Sequence, residues 1–103
     1  MYKLAFFVPV DDADSVKQAV FEAGAGRMGA YENVCFQTRG TGQFRPMEGA
    51  HPHIGAVGSL EKVDELKVEM MCDEAHIHGA IAALKLAHPY EEVAYDVWTL
   101  ADL

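Results

Sequence analysis

Two histidines one residue apart, His51-Pro52-His53, form the first pair in this chain whose spacing suits a metal ion. In an extended segment residues i and i+2 face the same side, so two imidazoles can reach one divalent cation such as zinc or copper. A third ligand is needed, and Glu48 or a neighbouring subunit would have to supply it. The plainer reading is a pair of exposed loop histidines stiffened by a proline. His76-Ile77-His78 has the same spacing on a helix, where i and i+2 diverge by about 200°. That pair does not chelate, and one ring is expected at the surface near the acidic cap of Asp73 and Glu74. Cys35 and Cys72 fall at strand ends that an antiparallel pairing makes neighbours, so their thiols could meet. Free cysteine more often serves as a small apolar filler. No Cys-x-x-Cys pair exists, which excludes a zinc ribbon or a thioredoxin-type motif.

Other chemistry is thin. "GAGRMG" (residues 24–29) has the glycines of a phosphate cradle, but it follows a helix and lacks the Lys-Ser/Thr of a P-loop. A helix stop and tight turn account for it. Ser15 and Ser59 are the only serines, and neither sits in a nucleophile elbow. Glu91-Glu92 reads as a solvated turn. An acid–base pair of His88 and Glu91 ranks last, because no nucleophile or cofactor motif accompanies it. The chain reads as non-catalytic, with no cofactor beyond a possible divalent metal. The richest run is "HPYEEVAYDVW" (residues 88–98). There a helix ends at His88, Pro89 breaks it, and Tyr90-Glu91 lead into a strand. A structural role and a ligand or subunit-contact role both fit that run.

Composition narrows the partners. The chain has 103 residues, half of them hydrophobic, with 16 acidic against 8 basic side chains and a net charge of −8. One domain with one modest core follows from that length. The charge repels phosphate backbones and anionic membrane surfaces, so neither nucleic acid nor membrane is an expected partner. The N-terminal run reads as a strand and not a signal peptide, which implies a cytoplasmic protein with reduced thiols.

The elements follow from periodicity. Residues 3–10 form a β-branched and aromatic strand, with Leu4, Phe6 and Val8 on one face and Ala5 and Phe7 on the other. Asp11 or Asp12 caps a first helix carrying Val16, Ala19, Val20 and Ala23, and Gly24 stops it. Residues 33–39 form a second strand. Residues 63–72 alternate cleanly, with Leu66, Val68, Met70 and Cys72 inward. Asp73 caps a second helix whose Ile77, Ala80, Ile81, Leu84 and His88 share a face, and residues 93–99 form the last strand. The order βαββαβ predicts an α+β, ferredoxin-like fold: a four-stranded antiparallel sheet with two helices on one face. Since the helices cover one face only, Phe7 and Trp98 need other cover, and a sheet from a second subunit is the economical one. The 40–62 loop between the second and third strands is long, and such loops are usually functional or disordered.

Two runs carry a family resemblance. "AHPYEEVAYDVW" resembles the closing segment of CutA-like proteins. "EAGAGRMGAYENVCFQTRGTGQFRPMEGAHPHIGAVGSLEKVDELKVE" resembles the domain inserted in bacterial Nif-three-like proteins of the YqfO type. Together they span 60 of the 103 residues. The resemblance implies a stand-alone PII/CutA-like domain over residues 1–103, usually trimeric. It also implies that the 40–62 loop reads a small-molecule ligand or a protein partner. Arg39, Gly40, Gly42 and Arg45, with His88, Tyr90 and Glu91, are then the candidate ligand-binding residues. His51, His53 and Glu48 remain the candidate metal ligands. The sequence departs from the pattern at Ala30 and at "HPHIG", where an "NPYIG"-like run would be usual. The hydrolase activity proposed for parts of the larger family is not implied, because its metal ligands lie outside this module.

Overall fold

The structure is a computed structural model and describes residues 1–103. Its central strand, β1 (Tyr2–Pro9), pairs antiparallel with β3 (Glu61–Cys72) on one side and β4 (Tyr95–Thr99) on the other. β2 (Phe36–Phe44) pairs antiparallel with β3, which makes the sheet order β2-β3-β1-β4. With α1 (Ala13–Glu22) and α2 (Ile77–Ala87) on one face, this is the ferredoxin-like arrangement expected from the sequence. The inward face of β1 is fully buried at Leu4, Phe6 and Val8, and it meets Val68, Met70 and Cys72 of β3. Val16 and Val20 of α1 and Ile77, Ala80 and Leu84 of α2 close the core from the helix side.

Helix starts differ in detail from the expectation. Val10–Asp12 forms a single 3-10 turn before α1, and the Asp12 side chain makes no capping bond there. At α2 the expected acid does act: Asp73 Oδ1 accepts from the His76 backbone N–H at 3.0 Å and lies 2.6 Å from His76 Nδ1. Bonding to His76 holds the Asp73 carboxyl below its usual range. Asp73→Ala is expected to lower the Tm, and the loss should shrink in the wild type as pH falls through that depressed value. Melts at neutral and strongly acidic pH check it. His76 also packs against Gly24, whose φ of 109° favours glycine. A β-carbon at Gly24 would collide with the imidazole, so the glycine stop after α1 has a packing reason too.

The second strand is displaced from its expected place. Asn33 adopts a left-handed φ of 58° and Val34 N–H donates to the Gly26 carbonyl, so the chain bends at Asn33 and the strand begins only at Phe36. The strand then runs to Phe44, because β3 starts at Glu61 and its register supplies partners as far as Phe44↔Glu61. Pairing outweighs the weak strand preference of Gly40 and Gly42. The 40–62 loop is therefore residues 45–60, and Arg39, Gly40 and Gly42 are strand residues. The last strand is also shorter than expected at its start, since Val93 and Ala94 precede it.

The same register separates the cysteines. Phe36 faces Glu69, so Cys35 continues towards Met70, two residues short of Cys72. Both thiols are free, and burial followed by the Asp73 charge pushes the Cys72 thiol up, away from reactivity. The helix-free face carries Phe7, Phe36 and Trp98 among Lys3, Glu65, Lys67 and Glu69. Phe36 is 70 % exposed and Trp98 46 %, so this face is uncovered within the chain.

Candidate functional site

Pro89 stops α2, and the residues on either side of it build the site. His88 leaves the helix with extended backbone (φ −70°, ψ 137°) and is the one buried polar side chain of the core. Its Nδ1 accepts from the Tyr90 backbone N–H at 3.1 Å, so the ring proton sits on Nε2 and is donated to the Phe7 carbonyl at 2.8 Å. Burial holds the imidazole below its ordinary value, and the bond to Phe7 and the charge of Asp12 oppose this only in part. His88 is thus a neutral strut between the end of α2 and β1.

That strut fixes Tyr90. The phenol ring packs edge-on against His88 at 4.9 Å and Phe44 at 5.8 Å, with the tilted ring of His53 at 6.3 Å. Its hydroxyl oxygen is withdrawn from solvent and has no hydrogen-bond partner. Burial, then the negative charges of Glu65 and Asp12, raise the phenol above its usual value. Such an orphaned buried group costs stability unless something else satisfies it.

The loop folds back onto this turn. Glu91 Oε1 accepts from the His51 backbone N–H at 2.9 Å, and Gly58 N–H donates to the carbonyl of buried Pro46 at 2.8 Å. Between loop and turn lies a cleft of about 110 Å³ lined by Phe44, Pro46, His53, Ile54, Tyr90 and Glu91. A second cleft of about 240 Å³ lies on the sheet side and shares Phe44 and Tyr90. Glu65 lines it, with its side chain laid across Gly42; a β-carbon at Gly42 would strike the carboxylate. Burial pushes the Glu65 carboxyl up.

His88, Tyr90 and Glu91 therefore come together, and Gly42 joins them through Glu65. Arg39 does not: its Nε donates to Asp64 Oδ1 at 3.0 Å and its Nη2 engages Oδ2, a pair that raises the guanidinium and lowers the carboxyl. Gly40 lines a neighbouring groove, and Arg45 stands exposed at the start of the loop. The metal set is not assembled. Within one chain no group of three His, Cys, Asp or Glu side chains could hold an ion, so Glu48, His51 and His53 do not form a complete set by themselves. Residues 53–55 form a bend, with Gly55 at a φ of 88°. Phe44, Glu65 and Glu92 were missed by sequence reasoning. Glu65 showed only as a polar residue of an alternating strand, and the one signal for it was the nearby glycine pair.

No family model matches the chain. Over 102 residues it is 46 % identical to a GTP cyclohydrolase 1 type 2 homolog of Halalkalibacterium halodurans, a match covering 99 % of this chain and 27 % of that one. A crystal structure of a Bacillus cereus protein related to NIF3 superposes with a TM-score of 0.83 at 42 % identity, over 98 % of this chain and 26 % of the other. The chain is a homologue of one segment of the NIF3-related proteins. It spans about a quarter of the length of the curated relatives it matches. CutA1 of Pyrococcus horikoshii shares the fold at 13 % identity and a TM-score of 0.70, over 100 % of this chain and 86 % of that one. No helix is long and apolar enough to cross a membrane.

Proposed function

We propose that this segment is a non-catalytic binding module. It assembles as a homotrimer and takes a small ligand or a protein partner where the 45–60 loop closes on the Pro89–Glu92 turn. The observation that carries this reading is Tyr90, which lines both clefts with its hydroxyl buried and orphaned beside them, between the neutral His88 strut and the Glu91 tie to the loop. A loop spent only on connection has no need to be tied down by a carboxylate. The uncovered face with Phe36 and Trp98 supports the assembly, because it leaves large aromatic side chains in water on a chain with a small core. His88 and Glu91 act as positioning residues in this reading, not as an acid–base pair.

Light scattering coupled to size exclusion tests the assembly. A mass three times that of the 11.3 kDa chain is expected, and a monomer across the micromolar range would overturn it. For the site, Glu91→Ala is expected to free the loop while leaving the core intact. Faster amide exchange confined to residues 45–60 and 89–92, with an unchanged Tm, is the result to look for. Unaltered exchange would remove the tie from the argument.

A further inference from the structure

The sheet-side cleft has a chemistry of its own. It is lined by the aromatic residues Phe7, Phe44 and Tyr90 and by the acidic residues Glu65 and Glu92, with Gln43 and Ala94 completing the wall. No lysine or arginine lines it. The nearest cation on the strand, Lys67, borders the adjacent groove and has its ammonium 3.9 Å from Glu69. The Tyr90 hydroxyl is buried without a partner, and the chain as a whole carries a charge of −8. We propose that this cleft binds an organic cation, an ammonium or guanidinium group on a short apolar stem. The inference rests on the binding-module reading above and names the ligand class for the same site.

Each wall component suits such a group. A guanidinium or ammonium has only donors, and Glu65 and Glu92, both lining residues, carry carboxylates that accept from them. Aromatic faces attract a cation and shelter the stem. Glu65 is partly desolvated and burial raises its carboxyl, a cost that a bound cation removes by pairing with it. Gly42 is what permits this placement, since a larger residue there would push the Glu65 carboxylate aside. An anionic ligand would meet two carboxylates and no countercharge.

The cation could come from solution or from a lysine or arginine of a second copy of this chain, and one experiment separates the two. The full chain, in whatever assembly it forms, is titrated with n-butylguanidinium, n-butylamine and, as the anion of matched size, butyrate. Binding is followed by calorimetry and by the NMR signals of Tyr90 and Phe44. The expected result is that both cations bind and butyrate does not. Glu65→Gln should weaken them at least tenfold, and Tyr90→Phe should weaken them less, with a Tm equal to or above that of the wild type because the orphaned hydroxyl is gone. Glu92→Gln serves as a second variant if Glu65→Gln misfolds. If a second copy already fills the cleft, the wild type takes up no probe but Glu65→Gln loosens the assembly at fixed concentration, which also supports the cation. Butyrate binding that is lost in Tyr90→Phe would overturn the cation while leaving the binding module standing. Failure of all three probes with assembly unchanged in Glu65→Gln would overturn the cation as well, and the module reading would then be judged by its mass.

Discussion

Replacing His88 with leucine is expected to destabilise the fold by roughly 2–4 kcal/mol, because two buried groups lose their partners at ~1–3 kcal/mol each. The Phe7 carbonyl loses its donor and the Tyr90 N–H its acceptor, both at a residue only 5 % exposed. In a domain of this size that loss corresponds to a Tm lower by roughly 10–25 °C. The pH dependence has a defined sign. His88 titrates below its ordinary value of 6.5 in the folded protein, so the unfolded chain binds its proton first as pH falls. Stability from the neutral ring is complete above about pH 6.5 and declines as pH drops from there through the folded value. Asp12 and His53, the charged groups that act on the ring, shift the midpoint but not the sign. Melts from pH 8 to pH 4 should show this decline in the wild type and a shallower one in His88→Gln, which cannot titrate. Equal slopes would mean that another group carries the acid sensitivity.

On the homotrimer proposed above, Phe36→Glu combined with Trp98→Glu is expected to give a folded monomer, a threefold fall in mass. Both side chains lie on the helix-free face, and neither belongs to the core cluster, so the fold within one chain should survive. In a subunit interface, however, each new carboxylate would be desolvated without a partner, and such a charge costs several kcal/mol. Scattering with far-ultraviolet circular dichroism on the same sample tests both halves. A double variant that stays trimeric would place the interface elsewhere, at the exposed edges of β2 or β4. An unfolded one would mean that these aromatics support the chain itself.

The sequence carried the elements because their signals are local. Alternation along β3 put Leu66, Val68, Met70 and Cys72 inward, and the spacing of Ile77, Ala80 and Leu84 marked the buried stripe of α2. The breaks at Gly24 and Pro89 and the acid at Asp73 were read from single residues and hold in the structure. The order βαββαβ then left few topologies, and the ferredoxin-like one is observed.

What the sequence by itself determined, then, was the set of elements and the sheet they make, together with the helix stop at Pro89. Tertiary structure alone decided how far β2 runs, because hydrogen bonds supplied by β3 outvote two glycines that propensity would leave in a loop. It alone made His88 a neutral strut, since burial and a carbonyl 81 residues away set its proton. It alone kept Cys35 from Cys72, because register is a property of pairing and not of spacing. The placement of Glu65 beside Tyr90 belongs to the same class. It depends on a strand, a turn and a missing β-carbon meeting in space, and no local pattern along the chain encodes that meeting.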